Sequence, residues 1–182
     1  MKTIKEMDRT ELAAFICTHL EKHGIEVTLT GGSCASIYSH DKYVSGDLDF
    51  IETFRTKRKF LKECLKEIGF AEENKNFIHP DTELFIEFPP GPLAVGEEPI
   101  KDIITLNTEV GDLRIISPTE SVKDRLAAYY FWNDLQCLEQ ALLVAQYQDI
   151  NLDEVKRWSL KEGESEKFQI FKTRLLEIEK DK

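Results

Sequence analysis

Two short stretches of the chain hold the residue types from which chemistry could be built. Gly31-Gly32-Ser33 follows a β-branched run, Ile25 to Thr30, and fourteen residues after Gly32 comes Gly46-Asp47-Leu48-Asp49-Phe50. In an extended strand alternate side chains share a face, so Asp47 and Asp49 point the same way with Cα atoms ~6.6 Å apart, while Leu48 and Phe50 point into a core. Adjacent carboxylates raise each other's pKa. Divalent cations relieve that repulsion, and hard oxygen donors suit magnesium. A glycine pair between strand and helix lets backbone amides come close to a phosphate, helped by the helix N-terminus. Ser33 adds a hydroxyl at the same point.

A third acidic position comes from Thr82 to Phe88. Alternation puts Leu84, Ile86 and Phe88 on one face and Glu83, Phe85 and Glu87 on the other. Glu83 and Glu87 are ~13 Å apart along a strand, so only one of them can join the aspartates. Glu87 stands at the strand end, just before Phe88 and the Pro89-Pro90 break, where a cleft has room to form. It faces the aspartates if the two strands run antiparallel; a parallel pairing favours Glu83. Three carboxylates can hold two cations ~3.5–4 Å apart, the arrangement that clamps attacking and leaving oxygens in phosphoryl transfer.

The elements that must position these groups are legible in the hydrophobic periodicity. Asp8 with Glu11 is a capping box for a helix whose stripe is Leu12, Phe15, Ile16 and Leu20, ended by Gly24. A short helix is expected over Cys34 to Ser39. Thr56 to Ile68 reads as an amphipathic helix with Phe60, Leu61, Cys64, Leu65 and Ile68 inward. Phe70 to Ile78 offers a weak edge strand, and Pro89 to Pro99, holding four of six prolines, reads as a loop. Ile103 to Thr108 and Leu113 to Ile116 flank a hairpin turn.

Beyond Ser117 only helices are expected, at about 118–131, 134–147, 152–161 and 165–180, the first capped by Ser117 with Pro118 and Glu120. The expected fold class is α+β: a small mixed β-sheet with helices on one face, plus a C-terminal helical bundle. The domain reading is 1–117 for the core and 118–182 for the helical lobe.

Composition bounds the partners. The chain has 182 residues, 41% hydrophobic and 32% charged, with net charge −10. That sign disfavours extended nucleic-acid binding through counterion release. No apolar run reaches the ~18 residues of a membrane span, and the charged N-terminus does not read as a signal peptide. Four scattered cysteines read as free thiols, so the expected location is cytoplasmic. Arg55, Lys59, Lys62 and Lys66 fall at helical spacing, as a solvated face or a local RNA or nucleotide contact. Tyr129, Tyr130, Trp132 and Trp158 could stack on a base, but at helical spacing they read first as bundle core. His19 and His23 sit four apart on one helix and could present two metal ligands, but no third ligand is in register and the pair reads as a solvated helix face.

The order of strand, Gly31-Gly32-Ser33, short helix, Asp47-x-Asp49 and later acidic strand resembles the nucleotidyltransferase (polymerase-beta-like) superfamily. Within it the chain looks most like the minimal bacterial type related to abortive-infection toxins. There a lysine on a helical tail, matched by Lys123, contacts the triphosphate; Asn133-Asp134-Leu135 resembles the Arg-Asp-Leu step after it, with asparagine in place of arginine. The resemblance covers about residues 25–147. It implies an Mg2+-dependent enzyme that transfers a nucleoside monophosphate from an NTP to an RNA, protein or small-molecule hydroxyl or phosphate. Asp47, Asp49 and Glu87 would hold two magnesium ions, and Gly31, Gly32, Ser33 and Lys123 the nucleotide. The alternative is a catalytically silent binding module, or a toxin-type protein held by a cognate partner.

Overall fold

The computed structural model describes residues 2–180. Asp47–Glu52 forms β2, with Leu48 and Phe50 fully buried. β2 pairs antiparallel with β1 (Val27–Thr30), Leu29 lying opposite Phe50 and Thr30 opposite Asp49. On its other side β2 pairs parallel with β5 (Phe85–Glu87), so that Asp49 lies opposite Glu87.

The remaining strands are β3 (Ala71–Glu73), β4 (Asn76–Ile78), β6 (Ala94–Val95), β7 (Glu98–Pro99), β8 (Ile103–Thr108) and β9 (Gly111–Ile116). One mixed seven-stranded sheet has the order β3-β4-β5-β2-β1-β9-β8. Its apolar side carries Val27, Leu29, Leu48, Phe50, Phe77, Ile86 and Ile115, none of them more than 1% exposed. At roughly 1.5–3 kcal/mol for each large side chain buried, this layer is a major source of stability.

Helix α1 (Arg9–Lys22) begins at Asp8, whose carboxylate accepts from the Glu11 amide while Glu11 reaches back to the Asp8 amide. It brings Leu12, Ile16 and Leu20 into the apolar core, and α3 (Arg58–Glu67) adds Leu61, Cys64 and Leu65. Phe60 departs from the expected stripe: it is 43% exposed, and its ring meets His23 at the surface. The weak edge strand is a hairpin of β3 and β4, turned through Asn74 and Lys75, both left-handed.

After Ser117, which accepts from the Glu120 amide, come α4 (Pro118–Trp132), α5 (Leu135–Tyr147), α6 (Leu152–Lys161) and α7 (Ser165–Lys180). Asn133, left-handed, ends α4, and Asp134 caps α5 by accepting from the Cys137 amide. Tyr130 and Trp158 stack in the core as expected, but Trp132 is 76% exposed.

The proline-rich segment is a strap rather than a free loop. Its β6–β7 hairpin is held to α6, where the Trp158 indole donates to the Val95 carbonyl and Arg157 and Lys161 grip Glu98. These cations, Arg157 foremost, pull the Glu98 carboxyl down to about 2. No described helix is long and apolar enough to cross a membrane.

Candidate active site

Asp47 and Asp49 sit one alternation apart on β2, and Glu87 joins from β5. Each contributes a carboxylate oxygen to a group lying within 4.8 Å of one another. The pairing is parallel, not antiparallel as the sequence reading required, yet Glu87 is the glutamate that arrives. The reason is register: Asp49 lies opposite Glu87, whereas Glu83 precedes β5 in an exposed bend. Burial pushes the Asp49 carboxyl up to about 7, and the neighbouring charges of Asp47 and Glu87 add to it. Three half-buried oxygen donors, one raised by burial and by its acidic neighbours, fit a hard divalent cation.

The glycine motif packs directly on this cluster. Helix α2 runs Gly31–Tyr38, starting three residues earlier than the expected Cys34, so Gly31, Gly32 and Ser33 form its first turn. First-turn amides have no acceptor within their own helix. Gly31 has φ +73°, and a Cβ there would lie 2.1 Å from Asp49 Oδ2. Gly31→Ala therefore meets both a left-handed backbone cost of about 1–2 kcal/mol and a clash that displaces Asp49. The expected result is weaker divalent-cation binding at the carboxylates and a lower melting temperature, checked by titration calorimetry beside the melting curve. Gly32 is tight as well, with Ser45 Oγ 2.9 Å from where its Cβ would be.

Ser33 sits at the junction of α2 and β2. Its hydroxyl is fully buried, donates to the main-chain oxygen of Asp47, and accepts from Arg9 Nη1 at 3.0 Å. It thus locks the first turn of α2 to the start of β2. Ser45 in turn donates to the Asp47 carboxylate.

Two arginines missed from the sequence stand nearby. Arg9, its side chain 9% exposed, has a buried Nε without a hydrogen bond and only a 3.7 Å approach to Asp41. It lines a cavity of about 660 Å³ that also includes Ser45 and Gly46 at the start of β2. Arg125 on α4 faces Asp49 closely enough to oppose its rise in pKa, and donates to Asp124 (2.6 Å) and Gln140 (3.4 Å). Nothing in the local sequence marks either residue, because both reach the site through tertiary packing.

Lys123, by contrast, is not among the groups gathered at the carboxylates. It is 2% exposed, with its ammonium 3.1 Å from Glu120 and 3.3 Å from Glu154 and 5.9 Å from the Trp158 ring centre. It lines a separate cavity of about 580 Å³ shared with Asn151, Arg157 and Lys161. The physical reason is that two acids and an aromatic ring already satisfy a cation that α4 turns inward. Lys123→Met should cost about 3 kcal/mol by leaving Glu120 buried without its partner, with the NTP dissociation constant unchanged. A tenfold weaker NTP affinity at unchanged stability would return Lys123 to the nucleotide site.

This architecture is the nucleotidyltransferase-like fold. Among solved structures the chain is similar to an antigenic nucleotidyltransferase-like protein from Paracoccidioides brasiliensis, with 14% identity and a TM-score of 0.52 over 74% of this chain and 76% of that one. A second similar structure is ANT(2")-Ia in complex with adenylyl-2"-tobramycin, with 14% identity and a TM-score of 0.48 over 91% of this chain and 94% of that one. No protein-family model matches the chain, and no curated protein resembles it in sequence.

Proposed function

We propose that the protein is a nucleotidyltransferase that moves a nucleoside monophosphate from an NTP to a hydroxyl or phosphate acceptor. The observation that carries this reading is the Asp47–Asp49–Glu87 cluster, with Gly31 packed against Asp49 at the start of α2. Asp47, Asp49 and Glu87 would hold magnesium, two ions in the full reading, which neutralises phosphate charge and polarises the reacting oxygens. The acceptor oxygen bonds to the α-phosphorus as the bond to the β-phosphate bridging oxygen breaks, and pyrophosphate leaves. The amides of Gly31 and Gly32 bind phosphate oxygens at the α2 N-terminus. Arg9, anchored on Ser33, presents its guanidinium to the same phosphates. Arg125 holds positive charge on the α4 side of Asp49.

A cleft of about 810 Å³ lined by Arg55, Lys57, Phe88 and Pro89 to Pro92 lies past the ends of β2 and β5, and none of the three carboxylates lines it. The toxin-type relationship rests on Lys123 and Asp134, which serve an ion-pair network and a helix cap here, so the proposal stops at the transferase class. Incubation of the protein with each labelled NTP, magnesium and cell lysate tests it. A labelled acceptor and released pyrophosphate, both dependent on magnesium, are the expected result. Magnesium-independent NTP binding with no transfer would favour the silent-module alternative.

A further inference from the structure

The two histidines of α1 acquire in three dimensions the third ligand that their sequence neighbourhood lacks. His19 and His23 lie one helical turn apart near the C-terminal end of α1, the i, i+4 spacing that puts two imidazoles on one face for a zinc ion. Glu67, the last residue of α3, projects between them. Its Oε2 is 3.0 Å from His23 Nε2 and 3.8 Å from His19 Nε2, and the imidazole centres are 4.8 Å apart. One ligand atom from each of the three residues falls within 4.8 Å of the others.

We propose that His19, His23 and Glu67 form a binding site for a divalent transition-metal ion of zinc-like character that clasps α1 to α3. Tetrahedral bonds of 2.0–2.1 Å place ligand atoms about 3.3 Å apart, and the observed 3.0 and 3.8 Å bracket that value. Two neutral imidazoles and one carboxylate match zinc, cobalt or nickel and discriminate against magnesium, which prefers all-oxygen shells. Both α1 and α3 end at this point, so the negative ends of two helix dipoles converge on the cation. His19 Nε2 also contacts the Cys64 carbonyl at 2.8 Å, and ligation gives up that one hydrogen bond. Three protein ligands leave the fourth position to water. The side chains are 15%, 29% and 55% exposed for His19, His23 and Glu67, so the ion enters from solvent.

The site is independent of the transferase reading, because none of its ligands belongs to the carboxylate cluster. Cobalt titration of the full chain in excess magnesium, followed by visible absorption, tests it directly. The expected result is one equivalent of cobalt with intense tetrahedral bands, displaced by zinc, and a melting temperature that rises with zinc. Glu67→Gln and His23→Gln should each weaken cobalt and zinc binding on the order of 100-fold or more, beyond the loss typical of residues behind the ligands. Glu67 is largely exposed, so its variant should fold even if His23→Gln does not. Weak octahedral absorption, or tetrahedral bands that survive Glu67→Gln, would overturn the proposal.

Discussion

Asp49→Asn should abolish magnesium-dependent nucleotide binding and, at pH 8, raise the melting temperature of the metal-free protein. The Asp49 carboxyl, near 3.8 in the unfolded chain, is lifted to about 7 by burial first and then by Asp47 and Glu87. A carboxyl raised in the folded state holds its proton more tightly there. Folding is therefore favoured at low pH, and stability falls as pH climbs from about 4 to about 7. At pH 8 the whole penalty is present, up to about 4 kcal/mol before any discount for partial exposure. Asparagine removes the buried charge, so a gain on the order of 10 °C is expected for a chain of this length.

Magnesium reverses the ranking. It should raise the melting temperature of the wild type but not of the variant. Its affinity should weaken below pH 7, where the proton competes. Calorimetry at pH 5 to 8, with chelator and with magnesium, reads all of this. An Asp49→Asn protein that melts lower than wild type at pH 8 would make the cluster a structural feature.

Glu87→Gln carries the second large effect. On the proposed function, losing one of the three carboxylates that would hold the cations forfeits several kcal/mol of transition-state stabilisation, which corresponds to transfer slower by about 1,000-fold. Glu83→Gln is the control. Glu83 is exposed and lies before β5, so its removal should leave rate and stability within experimental scatter. Single-turnover kinetics with both variants separates them. A silent Glu87→Gln beside a dead Glu83→Gln would make Glu83 the third acid of the site.

Much of the scaffold could be read from the chain because its signals are local. Asp8, Ser117 and Asn151 each act as the N-caps their spacing implied, and the alternation of Asp47 to Glu52 matches β2 end to end. What failed depends on non-local packing. Alternation assigns Glu87 to a face but says nothing of strand direction. A usable hint existed: a helix between the two strands is the crossover that parallel neighbours require. Phe60 has the right period yet the wrong surroundings, since it meets the edge of His23, at the end of α1, near the surface. Lys123 matches the helix position that the resemblance implies, but Glu120 and Glu154 decide where its charge goes. Arg9 was invisible for the opposite reason: it opens α1, and only the fold brings it to Ser33.

The strap between β5 and β8 has a consequence for how the molecule comes apart. Its β6–β7 hairpin belongs by sequence to the first 117 residues, yet it buries Val95 in the same apolar cluster as Trp158 and accepts that residue's indole hydrogen bond. A chain severed at Ser117 would leave Val95 and Ile100 bare on one fragment and Trp158 on the other. Heat should therefore melt both halves in one cooperative step, and a protease acting after that position would release no independently stable piece.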